Sequence, residues 1–456
     1  MKQRHLLAAA ALSLCALSAQ ATDLMQAWQA ARQHDPQAAV ADAARAAGET
    51  RRAQGASLWR PNVTLSASAG RMSANSATSG AQFAAPGFGQ STGVSFDTSV
   101  NNGHSTRWAV TARQPLYNPE RSAQRQQLEI GADSASLQWQ VAQQELMLAT
   151  TQRYFDVVLA ERKLALLRQQ QAAVDRAYQE AKDRFELGDA PVTDTHEASA
   201  RARGLQAQVL ASQSELELAQ TVLADATGLS SDALQVMAPA GEVAPRDLPP
   251  LAQWLTLAQE NNPQLRLQRA NAESAEQEVR KHTAQAAPTL DLVAQAGRER
   301  LSGSGDFGAA SNTSRQQMIG LQLNVPLYTG GMRSAKLDEA LRLQDKARAE
   351  VDQTSQQIRQ QTRAAWLGLQ TGQARLTALA EAVTASQARL DATRLGRQVG
   401  DRTTLDLLNA ENDASAASLA LLQARIDVLQ NRLRLQAVAG QLDEIRLQTV
   451  NALLQP

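Results

Sequence analysis

Two hydrophobic periods divide this chain. In some stretches apolar side chains recur at every second position. Val63, Leu65, Ala67 and Ala69 alternate with Asn62, Thr64, Ser66 and Ser68, and Trp108, Val110 and Ala112 alternate with Arg107, Thr111 and Arg113. Later, Leu290, Leu292, Ala294 and Ala296 form one such row, and Ile319, Leu321, Leu323 and Val325 another. Successive strand side chains point to opposite faces, so this pattern predicts four strands, over about 62–71, 105–115, 288–298 and 317–327. The Gly-, Ser- and Asn-rich stretches between partners, roughly Arg71–Ser105 and Arg298–Gln316, read as polar loops.

Elsewhere the period is helical. No proline interrupts Glu120–Leu187 or Arg333–Val399, and each tract predicts a helix roughly 100 Å long at 1.5 Å per residue. Val351, Ile358, Ala365, Gly372 and Leu379 form one heptad row, and Leu369, Leu376, Val383 and Leu390 a second. Two rows on one helix imply neighbours on both sides, as for a stave in a wall. Leu24–Trp59 and Val192–Ala226 would each run about 50 Å, so that two short helices end to end match one long one.

The pattern occurs twice. Pro36 and Pro61 recur with the same spacing as Pro263 and Pro288; Pro115-Leu116-Tyr117 recurs as Pro326-Leu327-Tyr328, Gly188-Asp189 as Gly400-Asp401, and Thr227-Gly228 as Ala439-Gly440. A duplicated unit of helix, strand, strand, helix and helix follows. Its boundaries are residues 22–228 and 251–440, joined by a linker over 229–250 and followed by a tail over 441–456.

The N-terminus sets the compartment. Lys2 and Arg4 precede an apolar run from Leu6 to Leu17 and a small-residue site at Ala19 and Ala21, which predicts a signal peptide over 1–21. Cys15 is the one cysteine, and Leu14 before it fits a lipoprotein cleavage site poorly, so the mature chain is expected to lack thiol chemistry. No later run reaches the ~18 apolar residues that a membrane helix needs, so any membrane segment must be β. Four strands cannot close a membrane barrel, and an open sheet leaves its edge amides and carbonyls unpaired in lipid. The chain therefore has to oligomerise, as a dimer with eight strands or a trimer with twelve, a wide lumen favouring the larger number.

The 45 basic and 45 acidic residues balance, which argues against a nucleic-acid partner. The five histidines are scattered, and no phosphate loop, nucleophile elbow or carboxylate pair is present, so neither an enzyme nor a cofactor or metal is expected. A non-conducting trimeric coiled-coil adhesin is the alternative of a different class. It would have one uninterrupted stalk rather than two internal strand pairs.

These features, with the turns Arg184-Phe-Glu-Leu-Gly188-Asp and Arg397-Gln-Val-Gly400-Asp-Arg402, resemble the TolC-type family of outer-membrane efflux and type I secretion proteins. The resemblance implies a mainly α fold with membrane β strands: a homotrimer with a twelve-stranded β-barrel in outer-membrane lipid, continuous with a twelve-helix periplasmic α-barrel. It also implies an equatorial band from the linker and tail, a periplasmic adaptor, and an inner-membrane ABC or proton-driven pump. Gly188 and Gly400 would mark adaptor-docking turns. Arg402, Thr193 and Asp194 would close a gate, although Arg397 stands where relatives often carry a gate tyrosine. Asp406 would line the periplasmic entrance as an anionic ring. Asn409, one turn on, replaces a second acid found in relatives and predicts weaker block by multivalent cations. Each of these can also be read as an ordinary turn glycine or a solvated surface group.

Overall fold

The computed structural model describes residues 22–87, 89–189, 191–230, 236–241, 243, 247–306 and 308–455. The predicted signal peptide with Cys15, and parts of the predicted linker, lie outside them. The chain divides into two compact units. One comprises the segments up to Gly48, Asp133–Ala270 and from Arg348 onward; the other comprises Glu49–Ala132 and Asn271–Ala347.

Elements follow in the order α1 (Leu24–His34), α2 (Pro36–Ser57), β1 (Asn62–Ala85), β2 (Gly89–Tyr117), α3 (Pro119–Glu186) and α4 (Val192–Thr227). Then come β3 (Ala238–Pro239), α5 (Leu251–Asn261), α6 (Pro263–Ala284), β4 (Thr289–Gly305), β5 (Gly308–Asn324) and α7 (Met332–Gln398). Last are α8 (Thr404–Val438), α9 (Glu444–Asn451) and β6 (Leu454–Gln455).

The predicted tract Leu24–Trp59 is two helices. A proline excludes the residue before it from helical geometry, so Asp35 is extended at φ −64°, ψ 124°. Asp35 then accepts from the Gln37 amide at 2.8 Å and pairs with Arg153 at 3.4 Å. Asn262 does the same work before Pro263, accepting from Leu265 N at 2.9 Å and donating to the Val438 carbonyl at 2.8 Å. The duplication extends to packing. Gly228, at φ 70°, lies against the ring of His34, and Gly440, at φ 69°, against the backbone of Asn261, so that in each repeat α4 or α8 ends on the last residue of α1 or α5.

The core of the first unit gathers Leu24, Trp28, Tyr154, Phe155, Leu223, Leu429, Leu433 and Leu447. Tyr154 and Phe155 meet edge to face, ring centres 5.7 Å apart. The Tyr154 hydroxyl accepts from Met237 N at 2.7 Å and donates to the Thr22 carbonyl at 3.0 Å. Burial raises its pKa well above the ordinary value, against the opposing Met237 bond, and keeps it neutral. Both heptad rows of α7 find partners. Ile358 and Val351 pack with Ala258, Leu265 and Val438, whereas Leu390 packs with Ala410 and Ala414 of α8.

In the second unit β1, β2, β4 and β5 form one antiparallel sheet in that order. The polar stretches expected to be loops are strand. β1 runs on to Ala85 and β2 begins at Gly89, while β4 reaches Gly305 and β5 begins at Gly308. Small polar residues satisfy an antiparallel ladder through the backbone alone, and with both faces wet they show no hydrophobic alternation. β5 stops at Asn324, short of the predicted end, because Pro326 has no amide to donate.

Candidate functional site

Residues paired across an antiparallel ladder project from the same face, so the register assembles a continuous surface. Val63, Ala112, Ala294 and Ile319 form one row across the four strands, and Leu65, Val110, Ala296 and Gln317 the next. Leu292 with Leu321 and Leu290 with Leu323 extend it. This apolar face is open: Leu65 is 71% exposed and Ile319 76%. Half-exposed Trp108 borders it at one end, in register with Arg298 and Arg315, and Tyr117 at the other. At ~3.4 Å per residue, Trp108 to Tyr117 covers about 30 Å, or about 23 Å if tilted by ~40°. The opposite face is polar. There Arg113 pairs with buried Asp291 at 2.9 Å and reaches Gln322, while Arg107 faces Glu299 at 4.0 Å. β1 and β5 are the outer strands.

The second feature lies in the first unit, at the turns α3–α4 and α7–α8. Both glycines take φ 83°. Asp189 N reaches the Arg184 carbonyl and Asp401 N the Gly396 carbonyl, each at 2.8 Å, while Gly188 N and Gly400 N bond three residues back. This twin-bonded helix end requires a left-handed residue, and glycine supplies it without strain. α8 then begins with a reciprocal cap. Thr403 Oγ1 accepts from Asp406 N at 3.1 Å, and Asp406 Oδ2 accepts from Thr403 N and Oγ1 at 3.0 and 2.8 Å. The Thr403 amide, then its hydroxyl, hold the Asp406 carboxyl below the usual aspartate pKa, with help from nearby Arg402 and Arg389.

The hairpins contact each other through Leu408 of α8, which packs against Val174, Ala177 and Ala202. Among the described residues two polar bonds tie them together: Arg397 pairs with Glu180, and Arg201 Nη2 donates to Asn409 Oδ1 at 2.9 Å. Of the predicted gate residues, Thr193 and Asp194 touch each other at 3.4 Å. Arg402 lies over Gly396 and bonds to neither of them among the described residues. Pattern reading missed the partners Glu180 and Arg201. Each sits among many charged helix-surface residues, and only the packing of the hairpins singles it out.

A sheet with an open apolar face, a polar opposite face and paired long helical hairpins defines the class of outer-membrane channel protein. The family profile described as outer membrane efflux protein matches residues 27–229 and 254–441, and the chain belongs to that family. The proteases secretion protein PrtF of Dickeya chrysanthemi is 30% identical, covering 97% of this chain and 94% of its own. The outer membrane protein TolC of Vibrio cholerae is 28% identical over 75% of this chain and 78% of its own. Among solved structures, the Campylobacter jejuni CmeC outer membrane channel superposes with a TM-score of 0.72 at 14% identity, covering 95% of this chain and 90% of that one. VceC of Vibrio cholerae gives 0.70 at 19% identity, covering 91% and 96%. The protein is thus an outer-membrane channel component of an export system.

Proposed function

We propose that three copies close into a twelve-stranded barrel above a twelve-helix tunnel, and that this tunnel is the exit duct of a tripartite exporter. The sheet carries this reading. It has an apolar band of membrane height, an aromatic at each end, a charged opposite face to line water, and two outer strands available for pairing. A periplasmic adaptor would dock at the turns around Gly188 and Gly400, and an inner-membrane ABC or proton-driven pump would supply the energy. Protein cargo is the favoured class, because PrtF, a proteases secretion protein, matches 97% of this chain at 30% identity. The test is gene deletion followed by comparison of the secreted proteins with drug sensitivity. Loss of a secreted protein supports the reading, and heightened drug sensitivity with unchanged secretion would replace it with small-molecule efflux.

At the tip, Arg402, Thr193 and Asp194 are proposed to bond between neighbouring copies, and the Glu180–Arg397 pair to hold the two hairpins of one copy together. Partly exposed pairs contribute about 0–1 kcal/mol each, but threefold repetition multiplies the bias toward a closed tip. Glu180→Gln and Arg397→Gln should each raise single-channel open probability, and the double variant should do no more than the stronger single. Additive effects would show that the two residues act separately.

A further inference from the structure

The apolar face of the sheet changes chemistry at Trp108. Helices adjoin the strand ends Asn62, Tyr117, Thr289 and Asn324, so Trp108 marks the end of the apolar band away from them. There Arg298 and Arg315 stand directly opposite each other on β4 and β5, with Trp108 opposite Arg298 on β2. Two residues farther out on the same face, Arg300 lies between Thr106 and Thr313. Opposite and diagonal neighbours on one face stand within about 8 Å of each other, so three guanidinium groups share one small patch. Arg300 and Arg315 are exposed, and Arg298 is half-buried.

Like charges placed directly opposite destabilise a strand pair, and nothing in the sheet offsets these three. Among the described residues none of them forms an ion pair. Glu299 lies between Arg298 and Arg300 in sequence but projects from the other face, where it meets Arg107. Asp291 is likewise engaged there, by Arg113. Asp97 pairs with Ala77, ten residues along β1 from the Ala67 that faces Trp108, about 30 Å away. Asp306 follows the end of β4, six residues beyond Arg300, about 20 Å away. On the polar face Arg107 and Arg113 have carboxylate partners; on the apolar face the arginines lack a counter-ion.

Beside the patch, small side chains leave a groove of about 380 Å³ on the apolar face, lined in part by Val110, Ala112, Ala294, Ala296 and Ile319. Val110 and Ala296 occupy the row next to Trp108 and Arg298, so the groove begins directly below the arginines. Positive charge at the head of an apolar slot matches a lipid, headgroup and acyl chain together, rather than a soluble anion. Guanidinium forks onto phosphate oxygens. Three arginines favour a phosphate monoester, which carries about −1.5 to −2 charges at neutral pH.

We propose that this rim of the sheet binds an anionic lipid, its phosphate monoester held by Arg298, Arg300 and Arg315 and an acyl chain lying in the groove over Ala294 and Ala296. Trp108 stands beside the headgroup, where an indole is suited to the membrane–water boundary. The site rests on the apolar face meeting lipid, and does not depend on which cargo is exported.

The probe is dimyristoyl phosphatidic acid, added to the purified full-length protein in detergent, with bound lipid counted by native mass spectrometry. Saturable binding at least tenfold tighter than that of dimyristoyl phosphatidylcholine is expected. Arg300→Gln should weaken it about fivefold, and Arg298→Gln/Arg300→Gln/Arg315→Gln about a hundredfold, from the usual contribution of each arginine at an anionic lipid surface. Ala296→Leu, which fills the groove, should also weaken it. Arg107→Gln, on the polar face, should bind as the parent does, and equimolar inorganic phosphate should not displace the lipid. Circular dichroism and heat-modifiable oligomers identify any variant that fails to fold. Equal binding of the two lipids to the unaltered protein overturns the proposal. So does a folded triple variant that keeps the parent's preference, an equal loss in Arg107→Gln, or displacement by inorganic phosphate. Oligomer size of the parent is read separately: failure to assemble counts against the twelve-stranded barrel, whereas an oligomer without lipid preference rejects this site alone.

Discussion

At the scale of single residues, the consequences follow from which groups are satisfied. Asp406 is held ionised by the Thr403 amide and hydroxyl. Its pKa is lowered, so its contribution to helix stability is present above the unfolded aspartate value of about 3.9 and is lost only as pH falls through the lower folded value. If three copies ring the entrance, cation selectivity should persist below pH ~4, and Asp406→Asn should reduce it wherever the carboxylate is ionised. Single-channel reversal potentials measured against pH decide this, and unchanged selectivity in Asp406→Asn would remove the ring. Tyr154 is a different case, since its hydroxyl serves Met237 and Thr22 inside the core. Tyr154→Phe keeps the ring packing and removes the hydrogen bonds to Met237 N and the Thr22 carbonyl, at a cost of about 1–3 kcal/mol. Thermal unfolding of the purified protein should show it as a lower midpoint.

At the scale of elements, breaks and turns rest on backbone rules. Pro36 and Pro263 each divide a helix because the residue before a proline leaves the helical region, and buried Asp35 and Asn262 recover the freed amides. Gly188 and Gly400 end long helices at positive φ, with open space where a Cβ would stand. Gly400→Ala should therefore cost only the backbone strain, about 1–2 kcal/mol. Gly440→Ala adds a collision with the Asn261 backbone at a similar φ and should cost more. Comparing the two unfolding midpoints separates strain from packing. The sheet shows the limit of pattern reading. The apolar rows located the four strands, but their polar continuations alternate nothing and became visible only through pairing with their neighbours.

At the scale of the whole molecule, the sheet face sets the expectation. Leu321 is 65% exposed on the apolar face, and Gln322 follows it on the polar one. On the proposed barrel, Leu321→Arg would place a charge toward lipid, at about 2–4 kcal/mol if near the midplane, and should deplete heat-modifiable oligomers from the outer-membrane fraction. Gln322→Arg should leave them in place. Equal loss from both would deny the assignment of the two faces.

The periods, the duplication, the turn glycines and the family are legible in the sequence, because each is a local or repeated pattern that the backbone translates directly. Tertiary structure decided which charges meet. Arg397 reads as a departure from a gate pattern, yet it is paired with Glu180; Asn409 reads as a missing acid, yet Arg201 bonds to it. Helical surfaces rich in Arg, Glu and Gln offer many equivalent partners, and only packing selects among them.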